Sequence, residues 1–168
     1  MSVSMYDIAV PSFQKHLHAL DGIIDKAMAY ADARKIEHVT LLTARLYPDM
    51  FNFTRQVQAS CDFAKAATAR LARREVPIHP DTETTFAELK ERIAKTLAFL
   101  ARVGAEEMTD AEELALTIKV GPNDMNFSGK DYLIHFALPN FYFHCTTAYT
   151  ILRHNGLDIG KRDFMRRT

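Results

Sequence analysis

A run of 21 residues without Asp, Glu, Lys or Arg, from Tyr132 to Leu152, constrains the fold of this chain more than any other feature. A segment of this length and apolarity either spans a bilayer or lies at the centre of a folded domain. It also contains Pro139, Asn140 and two histidines, and such residues are costly in lipid unless they are partnered. We therefore interpret the segment as the most buried helix of a globular core, and we expect no membrane partner.

Apolar residues recur at alternating spacings of three and four in the rest of the chain as well, and this period is typical of helices that bury one face. Thr85 and Glu88 form the T-x-x-E pattern of a capping box at the beginning of one such stripe. Asn155 and Gly156 are a residue pair suited to ending the charge-free helix. The four predicted helices cover residues 4–33, 50–71, 86–100 and 131–154.

The segment between the third and fourth predicted helices has a different period. Residues 114–120 alternate between apolar and polar side chains, as in a strand, and Gly121-Pro122-Asn123-Asp124 indicates a turn. A short β-hairpin or an extended insertion is therefore predicted here. No repeat or linker divides the chain, so we expect a single domain over residues 1–168. The predicted fold is all-α, an up-down four-helix bundle with this insertion between helices three and four.

Charge and cysteine content exclude several classes of protein. Lys plus Arg and Asp plus Glu both number 21, so the strongly basic footprint of a nucleic-acid-binding protein is absent and no such partner is expected. Cys61 and Cys145 are too few for a disulfide framework, and we expect both to be buried, reduced thiols. The first ten residues lack the basic and apolar regions of a signal peptide, which favours a cytoplasmic location.

A stripe of polar side chains follows one face of the fourth predicted helix. Asn140, His144 and Thr147 share this face, because each helical residue advances by about 100°. Leu133 and Phe136 extend the same stripe, so it should face the core. A buried amide or imidazole without a hydrogen bond costs about 1–3 kcal/mol. Either these groups bond to carbonyls freed by Pro139 or to neighbouring helices, or they line a pocket or bind a metal.

Two stretches of sequence resemble a known family. The run DYLIHFALPNFYFHCTTAYTILRHNG, together with PDMFNFTRQVQASCDFAK, is similar to the bacterial domain-of-unknown-function family DUF1993. That family belongs to the DinB/YfiT-like four-helix bundles, many of which are regarded as metalloenzymes. Weaker similarity extends from MYDIAVPSF to GKRDF, so the resemblance covers most of the chain. It implies a DinB-like bundle, and it also implies a homodimer, since such bundles often dimerise.

The resemblance further implies where a metal would bind. Members of the wider group typically hold a divalent metal through one histidine on helix two and an H-x-x-x-H pair on helix four. His144 takes the place of the second histidine of that pair, Asn140 takes the place of the first, and helix two contains no histidine. A neutral amide is a poor ligand for zinc or nickel. We therefore expect no cofactor, and the alternative is a zinc or nickel ion held by His144 and Asp49.

Two functional hypotheses follow from these observations. The first is an uncharacterised cytoplasmic bundle with a degenerate metal site that binds a small ligand or has a structural role. The second, which the resemblance implies, is a divalent-metal-dependent enzyme of the thiol-dependent transferase or isomerase class, in which the metal would activate a thiol or water by lowering its pKa. The residues expected to line the ligand pocket of the first are His144, Asn140, Tyr142, Gln56 and Asn52.

Overall fold

The computed structural model describes residues 3–165, and four long helices account for about half of this length. Two short 3-10 turns, at residues 105–108 and 111–113, follow the third long helix. The elements in chain order are α1 (Met5–Arg34), α2 (His38–Leu42), α3 (Phe53–Leu71), α4 (Phe86–Leu100), β1 (Ala115–Val120), β2 (Asn123–Ser128), α5 (Gly129–Asp131), α6 (Leu138–His154) and α7 (Lys161–Met165).

The four long helices pack directly on one another. α3 contacts both α6 and α4, and α1 contacts α4, α6 and α3. One hydrophobic core runs through all of them and includes Phe13 of α1, Phe53 of α3 and Phe141 of α6, each of which is fully buried. The predicted, mostly helical chain with one small hairpin is therefore confirmed. Among residues 3–165, no helix combines the length and apolarity that crossing a bilayer requires.

Side-chain caps set the beginnings of α1 and α4. The Ser4 hydroxyl accepts a hydrogen bond from the Asp7 backbone N–H at 3.1 Å, and the Ser4 N–H donates to the Asp7 carboxylate at 3.2 Å. Thr85 and Glu88 form the same reciprocal arrangement at α4, as their spacing predicts. These pairs satisfy backbone donors that have no partner within the helix, so both helices begin within one residue of the predicted position.

The beginning of α3 differs from the prediction. The Asn52 side-chain oxygen accepts a hydrogen bond from the Arg55 backbone N–H at 2.9 Å, so α3 begins at Phe53 and not at Met50. Asparagine is among the best residues for this capping position. The preceding loop therefore continues through Asn52, and it carries Phe51 to the side of α3.

The predicted fourth helix is interrupted where it enters the core. Residues Tyr132–Ala137 form a π-helical segment between α5 and α6. Pro139 lies in the first turn of α6 and has no backbone N–H to donate to the segment before it. The wider turn of a π-helix accommodates a position at which the regular backbone hydrogen bond to the residue four positions earlier is missing. The Asn140 side-chain amide donates to the Phe136 carbonyl at 2.8 Å, so one carbonyl of the interrupted ladder has a donor.

The predicted hairpin is present. β1 and β2 pair antiparallel with Val120 opposite Asn123, which leaves Gly121 and Pro122 as a two-residue turn. Gly121 has a φ of 59°, a left-handed conformation that is strained for a residue with a side chain. Ile118 of β1 is buried and joins the main hydrophobic core. The hairpin is thereby anchored to the helices at its middle.

Candidate functional site

The imidazole of His144 lies on the inner side of α6, where it meets Gln56 of α3. His144 Nδ1 is 2.7 Å from Gln56 Oε1, and Gln56 Nε2 donates to the Phe51 carbonyl at 3.2 Å. The bond to Phe51 fixes the amide so that its oxygen faces the ring, and an oxygen there can only accept. Nδ1 therefore carries a proton, and Nε2 of the neutral ring holds a free lone pair.

The protonation state of His144 follows from its surroundings. Burial lowers the pKa of the imidazole below its ordinary value of 6.5, and the nearby Arg55 guanidinium lowers it further. The ring is therefore neutral at pH 7. Nε2 has no hydrogen-bond partner among residues 3–165, and although His144 is only 8% exposed, this nitrogen is not fully enclosed.

Three phenylalanine rings surround His144. Phe63 and Phe51 stack nearly parallel to the imidazole, with centroid distances of 5.5 Å and 6.2 Å. Phe143 approaches its edge at 5.3 Å. Phe51 and Phe143 are 49% and 55% exposed, respectively, so one side of this arrangement is accessible. The imidazole site, as we name His144, Gln56, Phe51, Phe63 and Phe143, offers one hydrogen-bond acceptor beside aromatic surface.

The other residues predicted to line the pocket contact groups other than His144. Asn140 bonds to the Phe136 carbonyl and Asn52 caps α3. The Tyr142 ring lies 5.0 Å from that of His16 on α1, on a different side of α6 from the Gln56 contact. Asp49 is exposed in the loop before α3. The structure therefore brings His144 and Gln56 together and gives Asn140, Asn52 and Tyr142 other contacts.

The residues at the imidazole site do not fit a zinc or nickel ion. Such sites need at least three imidazole, thiolate or carboxylate ligands, whereas His144 here meets a neutral amide that already occupies its Nδ1. Within the described chain, no three His, Cys, Asp or Glu side chains are grouped closely enough to hold a metal. Cys61 and Cys145 are free and buried, as predicted, and burial raises the pKa of both thiols to about 12.

A second polar cluster, which the sequence did not reveal, surrounds Arg92 of α4. Its side chain is only 1% exposed. The guanidinium donates to Asp62, Asp81 and Glu83 at 2.8, 2.9 and 3.0 Å. It also donates to the Pro80 carbonyl at 3.0 Å. Arg92 therefore fastens the loop between α3 and α4 to both of those helices.

Further side chains complete this cluster. Gln58 donates to Glu83 at 2.9 Å, and Lys65 lies 2.8 Å from Asp62. Burial alone would raise the pKa of Glu83, but hydrogen bonds from Gln58 and Arg92 outweigh burial and hold that pKa below 4.5. Arg55 bonds to Asp81 and also lies over the Phe51 ring at 5.4 Å. The cluster therefore borders the imidazole site through Arg55.

The packed long helices, the hairpin before the last of them and the inward-facing imidazole of α6 define a protein of the DinB type. The chain matches the family described as Domain of unknown function (DUF1993) over residues 5–165 and belongs to that family. A DinB family member protein from Shewanella denitrificans, known from a crystal structure, is 41% identical with a TM-score of 0.92. The match covers 98% of this chain and 93% of that chain. No curated protein matches.

Proposed function

We propose that this protein is a cytoplasmic, single-domain up-down four-helix bundle that binds a small molecule at the imidazole site. The observation that supports this most is the fixed tautomer of His144, which presents Nε2 as an acceptor on an accessible side. Ligand sites commonly combine apolar walls with a few well-placed polar groups. The exposed rings of Phe51 and Phe143 supply such walls. The site therefore suits a small aromatic molecule with an O–H or N–H donor.

Phenol and toluene form a matched pair of probes for this proposal, because they differ chiefly in one hydrogen-bond donor. We expect phenol to shift the NMR signal of His144 Nε2 and to bind at least about twofold more tightly than toluene. The reason is that one hydrogen bond contributes about 0.5–1.5 kcal/mol net. His144→Phe should abolish the preference for phenol, whereas His154→Phe, at an exposed histidine of the same helix, should keep it. Equal affinities in the unmodified protein would contradict the proposal.

The alternative function is a divalent-metal-dependent enzyme of the thiol-dependent transferase or isomerase class. What favours it is the position of His144, but the surrounding donor set does not fit the ion. We expect protein purified without a metal-affinity tag to contain no stoichiometric zinc, nickel or iron. We also expect a chelator to leave the midpoint of thermal unfolding unchanged, since no bound ion would stabilise the native state. Stoichiometric metal that is lost in His144→Ala would establish the alternative.

A homodimer is also proposed, through the exposed apolar side chains of the loop before α3. Leu46 and Tyr47 of this loop are 38% and 65% exposed. Large exposed apolar side chains in one region are typical of an interaction surface, and a two-fold dimer would bring two such surfaces together. Sedimentation of the full chain at micromolar concentration should show a dimer, and a clean monomer would contradict it.

A further inference from the structure

A cavity of about 350 Å³ lies between the β-hairpin and α3. Its volume is at the lower end of the range of about 300–1,000 Å³ that small-molecule sites occupy. Arg70, at one end of the cavity, follows Gln56 by 14 residues on α3, a distance of roughly 21 Å along the helix axis. Arg70 is therefore distant from the Gln56–His144 contact, whereas Phe63 lines the cavity and also stacks on His144 in the imidazole site. Its apolar walls are Phe63, Ala66, Ile118, Val120 and Phe136.

The polar lining of this cavity includes two cations, Arg70 and Lys119, that form no ion pair with a carboxylate among residues 3–165. The Arg70 guanidinium donates to the Tyr132 hydroxyl at 2.8 Å but forms no ion pair with any residue between 3 and 165. Arg55, Arg74 and Arg92, by contrast, are all paired with carboxylates. Lys119, which also lines the cavity, is likewise without an ion pair among the described residues.

The acidic residue of the lining does not neutralise these cations. The Asp62 carboxylate is bound by Arg92 and Lys65, at 2.8 Å in each case. Arg70 keeps donors that Tyr132 does not use, since a guanidinium has five N–H groups and one of its nitrogens donates to the hydroxyl. Those donors, in their planar arrangement, match a carboxylate.

We propose that this cavity binds an organic anion, a carboxylate joined to a small apolar group. The carboxylate accepts hydrogen bonds from Arg70, and Lys119 adds to the positive potential. The apolar group packs against Phe63 on the helix side and against Ile118 and Val120 on the hairpin side. This site goes beyond the proposed function, because Arg70 binds the anion and neither His144 nor Gln56 lines the cavity, although Phe63 belongs to both sites.

Phenylpropanoate and phenylpropanol share one apolar body and differ in charge, so they test the proposal directly. An NMR titration of the full chain, followed through the amides of β1, should give phenylpropanoate an affinity about fivefold higher than that of phenylpropanol, because charge-assisted hydrogen bonds are about twice as strong as neutral ones. Arg70→Gln removes the charge and retains a donor for Tyr132, and it should weaken phenylpropanoate binding about fivefold. Lys15→Met, at an exposed position of α1 outside the cavity, should leave that affinity unchanged.

Two variants at the exposed Val120 test the proposal with substitutions that should not disturb folding. Val120 is 36% exposed at the tip of the hairpin and lines the cavity, so long side chains are tolerated there. Val120→Lys should strengthen phenylpropanoate binding and Val120→Glu should weaken it, with no effect on phenylpropanol. His144→Phe should leave phenylpropanoate binding unchanged, which separates this test from that of the imidazole site. Equal binding of the two probes, or an affinity insensitive to charge at positions 70 and 120, would overturn the proposal.

Discussion

Replacing Arg92 with methionine is expected to lower the free energy of unfolding by about 3 kcal/mol. Methionine preserves most of the apolar part of the arginine side chain, so the loss of unfolding free energy measures the contribution of the guanidinium. That group is 1% exposed and binds Asp62, Asp81 and Glu83. Removing one partner of a buried ion pair typically costs about 3–5 kcal/mol. The lower figure applies here, because Asp62 and Asp81 are 34% and 41% exposed and water can reach them. Urea unfolding at neutral pH measures the difference.

Arg102→Met is the matched control for this experiment. Arg102 is exposed, and its side chain has no hydrogen bond to a described residue, so the same substitution should change the unfolding free energy by less than about 0.5 kcal/mol.

Acid should remove the difference in unfolding free energy between the unmodified protein and Arg92→Met. The pKa of Glu83 is lowered in the folded state. Its contribution to the unfolding free energy is therefore present above pH 4.5 and is lost as the pH falls through the folded-state pKa. Equal stabilities of the two variants at neutral pH would mean that the cluster contributes nothing net.

Phe141→Ala is expected to destabilise the protein by about 3–5 kcal/mol. Phe141 is fully buried in the first turn of α6, and its ring forms a T-shaped pair with Phe13 at a centroid distance of 4.8 Å. Truncation removes the buried ring, and the long helices around it cannot collapse fully into the space it leaves. Phe143→Ala makes the identical change two residues further along, at a side chain that is 55% exposed. That variant should stay within about 0.5 kcal/mol of the unmodified protein, and a similar loss in both would contradict the assignment of the buried face.

The parts of the fold that were predicted correctly are those with local signals. The capping box at Thr85 and Glu88 and the Gly121-Pro122 turn depend on residues a few positions apart, and both are present. The beginning of α3 was placed three residues early, because the apolar spacing typical of a helix extends back from Phe53 to Met50. The π-helical segment before Pro139 was not predicted, because a proline inside a predicted helix indicates a missing hydrogen bond but not whether the preceding turns widen.

The candidate site was predicted less completely than the fold. Helical spacing placed His144 on the buried face of α6, and Gln56 was named as a pocket residue. Their hydrogen bond joins positions 88 residues apart and depends on how α3 packs on α6. The Arg92 cluster was missed because arginine is rarely buried. Its signal was the spacing of Leu89, Arg92 and Thr96, which places all three on the buried face of α4.

The two cysteines have a consequence for any reaction that this protein could assist. A thiol attacks as its thiolate, and a pKa of about 12 keeps Cys61 and Cys145 protonated throughout the physiological range. Both are also enclosed, so an electrophile in solution would reach them only after the helices separate. A reaction at this protein that needs a thiolate nucleophile would therefore depend on a small thiol supplied from solution, because neither cysteine could provide it.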